Sequence, residues 1–305
     1  QCRQRVFRIE AAGVTIVNAV VQGIFLGAFY AVLACGLSIM FGVMRIINLA
    51  HGDIAVLGAY IVFVIVEGTG MSPFVAFVVA LPVMIVLGYV LQLTVLERSL
   101  KSGILTPLLA TFGLSIVIQN LLLIRFSPDV RSLGGNAGAV TTSSWQITGG
   151  LSVSALGVVI LVVAVLVFAA LQLFLSRTPA GWRMRATAED ADAAELVGID
   201  SRGVYARATA LAVAIAALGG LFLAIRSVFD PLSGPTQLIF AFEAVVIGGM
   251  GSLWGTLLGG LALGVAQTLG ANINPEYSAL TGHLLFLAVL VVRFGGGRLS
   301  LRTAR

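Results

Sequence analysis

Three polar side chains stand close together inside one of the most apolar stretches of the chain. Asn48, His51 and Asp53 lie between two apolar runs, with Gly52 among them. Polar and ionisable groups at membrane depth are costly, and they usually face a protein-lined cavity or a pathway. Local roles are also open: Asp53 can occupy the first turn of a following helix, Asn48 can satisfy free backbone groups, and His51 can pack in the interior. We therefore predict a helix break that faces protein or a pore.

A second candidate region lies in a long apolar segment that exceeds the length of one bilayer crossing. Glu243 is an acid within it, and three glycines follow at Gly248, Gly249 and Gly251. These glycines allow helices to pack closely in lipid, or they break the helix. Glu243 could pair with an arginine of this or a neighbouring subunit, lie near a membrane boundary, or take part in proton or substrate transfer.

The residue sets that catalysis requires are missing from the sequence. There is no Gly-x-x-x-x-Gly-Lys-Ser/Thr phosphate loop, so the chain is not expected to hydrolyse ATP itself. No spacing of His, Cys or carboxylates suggests a metal site, and Cys2 and Cys35 form no disulfide framework. His283 has no acidic neighbour in its apolar run and is expected to pack. We predict a protein that is not an enzyme, with no catalytic, cofactor-binding or metal-binding residues.

The composition places the chain in a membrane. Of its 305 residues, 59% are hydrophobic and 10% are charged, whereas a soluble domain carries about 25% charged residues. The net charge of +5 comes from arginines at the ends of apolar runs, where such residues anchor cytoplasmic faces. No basic patch is interleaved with aromatic residues, so nucleic-acid binding is not expected.

The apolar runs approach the length of about 20 residues that a bilayer crossing needs. They fall at 14–35, 50–66, 73–95, 104–124, 151–175, 205–225, 236–269 and 279–293. No polar stretch between them is long enough for a soluble domain. The three arginines of residues 1–11 resemble the start of a signal peptide, but the following run is too long and lacks a cleavage site. We predict one all-α transmembrane domain over residues 1–305, with about eight spans.

The distribution of arginine and lysine sets the expected orientation. The N-terminus, residues 97–101, 177–207 and 293–305 are rich in these residues and should be cytoplasmic, as should both termini. Residues 67–72, 125–150 and 270–278 should face outward.

The number of predicted crossings does not agree with this orientation unless two segments are irregular. An extra short crossing or half-helix at 36–49, together with a hairpin in 236–269, resolves the conflict. We therefore predict broken or re-entrant helices near 36–53 and 248–255 as counterparts in the two halves. Interrupted segments at corresponding places are typical of transporter pathways.

The polar loop 177–204 has a recognisable pattern. Pro179 stands at the start of a short helix and Gly198 is placed as its C-terminal cap, followed by Ile199. An ordinary charged loop that orients the protein is one interpretation. The run Arg-Ala-x-Ala-x-Asp-x-x-x-Ala-x-x-x-Gly-Ile, however, resembles the coupling loop of ABC-importer permeases, which docks onto the ATPase subunit. The residues implied in coupling are Gly181, Arg183, Arg185, Ala186, Glu189, Asp190, Ala194, Gly198 and Ile199.

Further motifs extend this resemblance over most of the chain. Residues 36–43, the run Ile-Asn-Leu-Ala-His-Gly-Asp at 47–53, and Leu-Gly-Ala-Tyr at 57–60 look like the signature of branched-chain amino acid ABC-transporter permeases. The glycine-rich segment at 248–260 is similar to the second signature of that family. Permeases for urea and short amides also belong to it.

The resemblance implies the membrane-spanning permease subunit of an ABC importer for branched-chain, hydrophobic amino acids. Alternatives are a urea or short-amide permease, or an ion-coupled carrier that uses Glu243 or Asp53. The implied partners are membrane lipid, a second permease subunit (homologous or identical), two cytoplasmic ATPase subunits that hold ATP and Mg²⁺, and a periplasmic or lipid-anchored binding protein. The implied location is the bacterial cytoplasmic (inner) membrane. No cofactor is expected in this chain.

Overall fold

The computed structural model describes residues 2–100, 103, 105–147 and 151–300, and most of them are helical. The helices are α1 Cys2–Met44, α2 His51–Thr69, α3 Pro73–Leu91, α4 Glu97–Leu100, α5 Leu105–Phe126, α6 Ala139–Thr142, α7 Ala155–Arg177, α8 Pro179–Glu189, α9 Ala191–Leu196, α10 Ser201–Arg226, α11 Gly234–Gly248, α12 Leu253–Ile273 and α13 Tyr277–Ser300. A π-helical turn joins α3 to α4, and the strands β1 Ser144–Ile147 and β2 Leu151–Ser154 pair as an antiparallel hairpin.

Seven helical segments of the described chain are long and apolar enough to cross a membrane. They are Ile16–Met44, His51–Thr69, Pro73–Leu100, Leu105–Phe126, Ala155–Arg177, Ser201–Arg226 and Leu253–Ile273. Two shorter apolar helices, Gly234–Gly248 and Tyr277–Arg293, complete the bundle. The Ile16–Met44 part of α1 and the whole of α10 are largely buried, whereas α3, α5 and α7 expose broad apolar faces. The prediction of an all-α polytopic membrane protein is confirmed.

The bundle has two ends, which we name the hairpin end and the α8 end. At the hairpin end, Gln22 Nε2 of α1 donates a hydrogen bond to the Ser152 carbonyl at 2.7 Å. At the α8 end, Gly42 of α1 lines a cavity together with Met184 of α8. Because α1 runs from one end to the other, its start and the 177–204 loop lie at opposite ends. The prediction that both face the cytoplasm conflicts with this geometry, since arginine content alone does not report the course of a helix.

The first helix break is narrower than predicted. α1 continues through Gly36 and Gly42 to Met44, and only residues 45–50 are non-helical. Gly36 lies against the His51 ring and the Ala212 carbonyl, so it allows close packing and does not break the helix. The prediction of a separate short crossing at 36–49 is therefore wrong. The helix ends at Met44, and the next residue, Arg45, has a left-handed φ of 55°.

The predicted hairpin in segment 236–269 is present as α11, a turn at 249–252, and α12. Gly249 and Gly251 have φ values of 97° and 86°, which favour glycine. A Cβ at Gly248 would overlap the Gly255 carbonyl, so α11 and α12 pack closely. Gly251 lies beside Gly42 at the α8 end. The turn therefore lies at one end of the bundle and not inside it. The prediction that it is the counterpart of the first break is wrong.

The true counterpart of the first break is the segment 227–233. It follows α10 as residues 45–50 follow α1, and it leads into α11 at Gly234. Both α2 and α11 begin inside the bundle. α2 runs to the hairpin end, and the centroid of its Tyr60 ring lies 5.0 Å from that of the Phe229 ring. α11 runs to the α8 end. The two halves therefore have the inverted arrangement that many transporters share.

Candidate functional site

The N-termini of α2 and α11 meet inside the bundle, at what we call the central junction (residues 48–53 and 230–235). Gly52 lies against the carbonyl of Gly234, and Gly234 lies against the carboxylate and amide of Asp53. His51 Nε2 donates a hydrogen bond to the Leu33 carbonyl at 2.8 Å. Leu33 is about 16 Å along α1 from Gln22 and about 14 Å from Gly42. The junction therefore sits midway between the two ends.

Asn48 forms the turn that leads into α2. Its Oδ1 accepts a hydrogen bond from the Ala50 amide at 3.0 Å, and its own carbonyl accepts one from the His51 amide at 3.2 Å. The Leu49 amide donates to Thr111 Oγ1 of α5 at 3.1 Å. The structure thus places the fully buried Asn48 at the break, where it satisfies backbone groups.

His51 ties α2 to α1. Its ring is buried, and Nδ1 has no hydrogen-bond partner within the described part of the chain. The ring packs against Gly36, where a Cβ would approach its Cε1 to 2.8 Å. This arrangement holds the start of α2 against the middle of α1.

Asp53 is buried in the first turn of α2 and is bound by neutral donors from α5. Ser115 Oγ donates to Oδ2 at 2.6 Å, and Gln119 Nε2 donates to Oδ1 at 3.0 Å. The N-terminal ends of α2 and α11 also favour a negative charge here. Sequence reasoning missed both partners, although their i, i+4 spacing on an apolar helix was the available signal.

Glu243 lies elsewhere, nine residues along α11 and about 14 Å from Gly234. It is 3% exposed, and His283 Nδ1 of α13 donates a hydrogen bond to its Oε1 at 2.5 Å. The Phe240 ring stacks on the His283 ring at 6.2 Å. The expectation that His283 has no acidic neighbour is therefore wrong, and within the described part of this chain Glu243 pairs with this histidine. Forty residues separate the pair, and only the packing of α11 on α13 joins them.

The sequence-predicted pathway residues thus occupy three separate places. Asn48, His51, Gly52 and Asp53 form the central junction. Glu243 lies along α11. Gly248, Gly249 and Gly251 form the turn at the α8 end.

The predicted single helix of the 177–204 loop is two helices. Asp190 interrupts it, because its side chain accepts a hydrogen bond from the Ala193 amide at 3.0 Å and caps α9. The predicted cap at Gly198 is confirmed by its φ of 84°. The amide of Ile199 donates to the Ala194 carbonyl at 3.0 Å, which completes a Schellman motif.

The loop presents a mixed surface at the α8 end. The predicted coupling residues that are exposed are Arg183, Arg185, Ala186, Glu189, Asp190 and Gly198. Gly181 and Ala194 are buried and Ile199 is half-buried, and Gly181 packs closely on Leu175 of α7. Leu196 and Val197 are 89% and 77% exposed. Two adjacent bare apolar side chains are a surface that a partner can cover.

The fold is a polytopic helical bundle with an inverted pair of interrupted helices. This arrangement is typical of membrane transport proteins. The family model described as "Branched-chain amino acid transport system / permease component" matches residues 19–292. The chain belongs to this family of permease components.

Several relatives cover most of the chain. The high-affinity branched-chain amino acid transport system permease protein BraD of Pseudomonas aeruginosa is 31% identical over 284 residues, 90% of this chain and 92% of the relative. The corresponding permease protein LivH of Escherichia coli is 31% identical over 89% of this chain and 91% of its own length. The fructose import permease protein FrcC of Rhizobium meliloti is 29% identical over 80% of this chain and 69% of the relative. No solved structure matches.

Proposed function

We propose that this chain is the membrane-spanning permease subunit of an ABC importer that carries branched-chain amino acids across the bacterial cytoplasmic membrane. The observation that carries the proposal is the 31% identity to BraD through nine-tenths of the chain. Partner ATPase subunits, which hold ATP and Mg²⁺, supply the energy.

The α8 end faces the cytoplasm in this proposal. Its support is the cluster of arginines in and around α8 and α10, including Arg177, Arg183, Arg185 and Arg202. Arg293 of α13 lies at this same end, where its side chain donates a hydrogen bond to the Val246 carbonyl of α11. Two ATPases dock on α8 and α9, a second permease subunit completes the membrane part, and a binding protein delivers substrate to the hairpin end.

The geometry suggests how ATP-driven motion enters the membrane. α8 packs closely on α7 through Gly181, and a cavity of about 320 Å³ separates α8 from the end of α1 and the turn at 249–252. α11 links that turn directly to the central junction. A shift of α8 that closes the cavity therefore pushes one end of a helix whose other end lies at Asp53.

Transport by the reconstituted assembly tests the proposed function. Proteoliposomes that contain this chain, its permease partner, the ATPases and the binding protein should take up radiolabelled leucine only with ATP. Unlabelled isoleucine and valine should compete, and urea, acetamide and fructose should not. Leucine uptake by this chain alone, driven by a proton or sodium gradient, would contradict the proposal.

Docking on α8 and α9 has its own test. Leu196→Glu with Val197→Glu places two charges on the bare apolar surface and should lower ATP-driven uptake more than about tenfold. The matched control Leu196→Met with Val197→Ile keeps that surface apolar and should transport normally. Equal uptake by the two double variants would show that no ATPase docks there.

A further inference from the structure

The cavity of about 320 Å³ between α8 and the end of α1 has a mixed lining. Its apolar walls include Leu175 of α7 together with Leu253 and Trp254 of α12. Gln172 of α7 and Arg185 of α8 add polar side chains to the same lining. Among the described residues that line it, none is an aspartate or a glutamate. The cavity is therefore positively charged, and it has side-chain donors but no carboxylate acceptor.

Gln172 and Arg185 are both exposed at this cavity. Neither makes a side-chain hydrogen bond or an ion pair within the described part of the chain, and Glu189, four residues after Arg185, does not pair with it. Gln172 lies about one and a half turns before the end of α7, a helix long and apolar enough to cross a membrane. An amide at the edge of the hydrocarbon is unfavourable without a hydrogen bond. Both side chains are thus accessible to a ligand that carries acceptors.

Two tryptophans place the cavity at the boundary of the membrane. Trp254 in the first turn of α12 lines it, and Trp182 of α8 donates a hydrogen bond to the carbonyl of Ser176, another lining residue. Both indoles are exposed, and tryptophan is enriched at the level of lipid headgroups. Val165, two turns before Gln172 on the same side of α7, is exposed as well. It extends the site as apolar surface toward the middle of the membrane.

We propose that this cavity binds the phosphodiester headgroup of an anionic phospholipid. The guanidinium of Arg185 binds the phosphate, as arginine does with two parallel hydrogen bonds. The side-chain amide of Gln172 and the indole N–H of Trp254 donate to the ester oxygens, and an acyl chain packs on α7 at Val165. Basic pockets between helices at the membrane surface bind such headgroups. This inference goes beyond the proposed function, since it holds for whichever solute the permease carries.

Other ligands fit the cavity less well. An amino acid would place its ammonium among described lining side chains that include no carboxylate. A divalent cation needs several oxygen ligands, and Arg185 would repel it. Free phosphate would bind Arg185 but leave the apolar walls at Leu253 and Trp254 unused. A phospholipid uses both the charge and the apolar walls.

Native mass spectrometry of the purified full chain tests the site. The chain is released from detergent that contains dioleoylphosphatidylglycerol and dioleoylphosphatidylcholine at equal concentration. We expect one molecule of the phosphatidylglycerol to stay bound at least about fivefold more often than the phosphatidylcholine, because the ammonium of choline is repelled by Arg185. Equal retention of the two lipids, or retention of neither, overturns the site.

Matched charge variants locate the bound lipid. Arg185→Gln removes the charge that lines the cavity and should lower the retention of phosphatidylglycerol about tenfold or more, as expected for loss of a charged hydrogen bond. Arg183→Gln is the control, since Arg183 is exposed on the same helix and does not line the cavity. Size-exclusion profiles establish that each variant is folded. Equal retention by the two variants overturns the assignment.

Two further measurements test the place of the lipid and the source of the phosphate. Ala188→Phe fills the cavity and should abolish retention, whereas Ala186→Phe, at an exposed position of α8 outside the lining, should retain the lipid. Inorganic phosphate at the same concentration as the lipid should leave the phosphatidylglycerol bound, because it has no acyl chain. Displacement by inorganic phosphate would show a site for free phosphate and overturn the lipid assignment, as would full retention by Ala188→Phe.

Discussion

The two breaks that lead into α2 and α11 occupy equivalent places but are held by different chemistry. At 45–50, Asn48 bonds locally, but the Leu49 amide bonds to Thr111 of α5, and Asp53 just beyond bonds to Ser115 and Gln119. At 227–233, the side-chain bonds are local, whereas the backbone of Phe229 exchanges two hydrogen bonds with Arg131. Asp230 Oδ1 accepts from the Leu232 amide at 2.8 Å and from Ser233 Oγ at 3.0 Å.

We call the first break tied, because its bonds reach α5, and the second self-contained, because its side-chain bonds stay within its own turn. The first break moves only if α5 moves or if buried hydrogen bonds are lost, and a lost buried bond costs about 1–3 kcal/mol. The second break holds its turn at 230–233 by local side-chain bonds, and its tie to another segment is the backbone pairing of Phe229 with Arg131. Mutations of the first should therefore disturb the whole bundle, whereas most mutations of the second should act locally. The glycines where the two breaks meet are the exception, because both breaks depend on them.

Gly52→Ala and Gly234→Ala should have the largest effects. The new Cβ of Gly52→Ala would overlap the Gly234 carbonyl, and that of Gly234→Ala would overlap the carboxylate and amide nitrogen of Asp53. We expect a loss of about 3 kcal/mol or more in the free energy of unfolding. Thermal unfolding of purified protein in detergent measures this. Gly68→Ala, with no atom within 4 Å of the added Cβ, is the control. Normal stability of both junction variants would show that the halves do not touch as described.

Asp53→Asn should have the next largest effect. We expect it to lower the free energy of unfolding by about 1–3 kcal/mol, because one of the two donors from α5 loses its charged acceptor. Asp192→Asn is the matched control. Asp192 also lies in the first turn of a helix, α9, but it is exposed, so its replacement should cost about 0.5 kcal/mol or less. Similar shifts in unfolding temperature for both would argue against a special environment at Asp53.

Asn48→Ala and Ser233→Ala compare the two breaks directly and should have the smallest effects. We expect the free energy of unfolding to fall by about 1–2 kcal/mol for the fully buried Asn48 and by about 0.5 kcal/mol for the half-buried Ser233. Chemical unfolding of both variants beside the wild type measures the difference. A larger loss for Ser233→Ala would reverse the assignment of tied and self-contained breaks.

The sequence was informative where the signal is local. Polar residues in an apolar stretch predicted a break at Asn48 to Asp53, and glycine and proline chemistry predicted the hairpin turn and the cap at Gly198. These features depend on neighbours within a few residues. The second break had a local signal as well, with Pro231, Gly234 and Pro235 in succession. The more conspicuous glycines of 248–255 were instead predicted to be the counterpart of the first break.

Features made by distant residues were not predictable. The bonds from Ser115 and Gln119 to Asp53 cross more than sixty residues of chain, and the Glu243–His283 pair joins two helices whose adjacency no pattern reports. The course of α1 was mispredicted for a related reason. Arginine counts assign each loop separately, whereas the ends of the bundle are defined by how the helices pack together.

The meeting of Gly52 and Gly234 has a mechanical consequence. Side chains between moving parts act as springs, because they can change rotamer and absorb a displacement. Here the two halves touch backbone to backbone, and close-packed interiors transmit strain. We expect this contact to transmit movement directly. A small axial movement of α11 that starts at the α8 end would be passed to α2, and it would tilt this helix, which extends to the opposite side of the membrane.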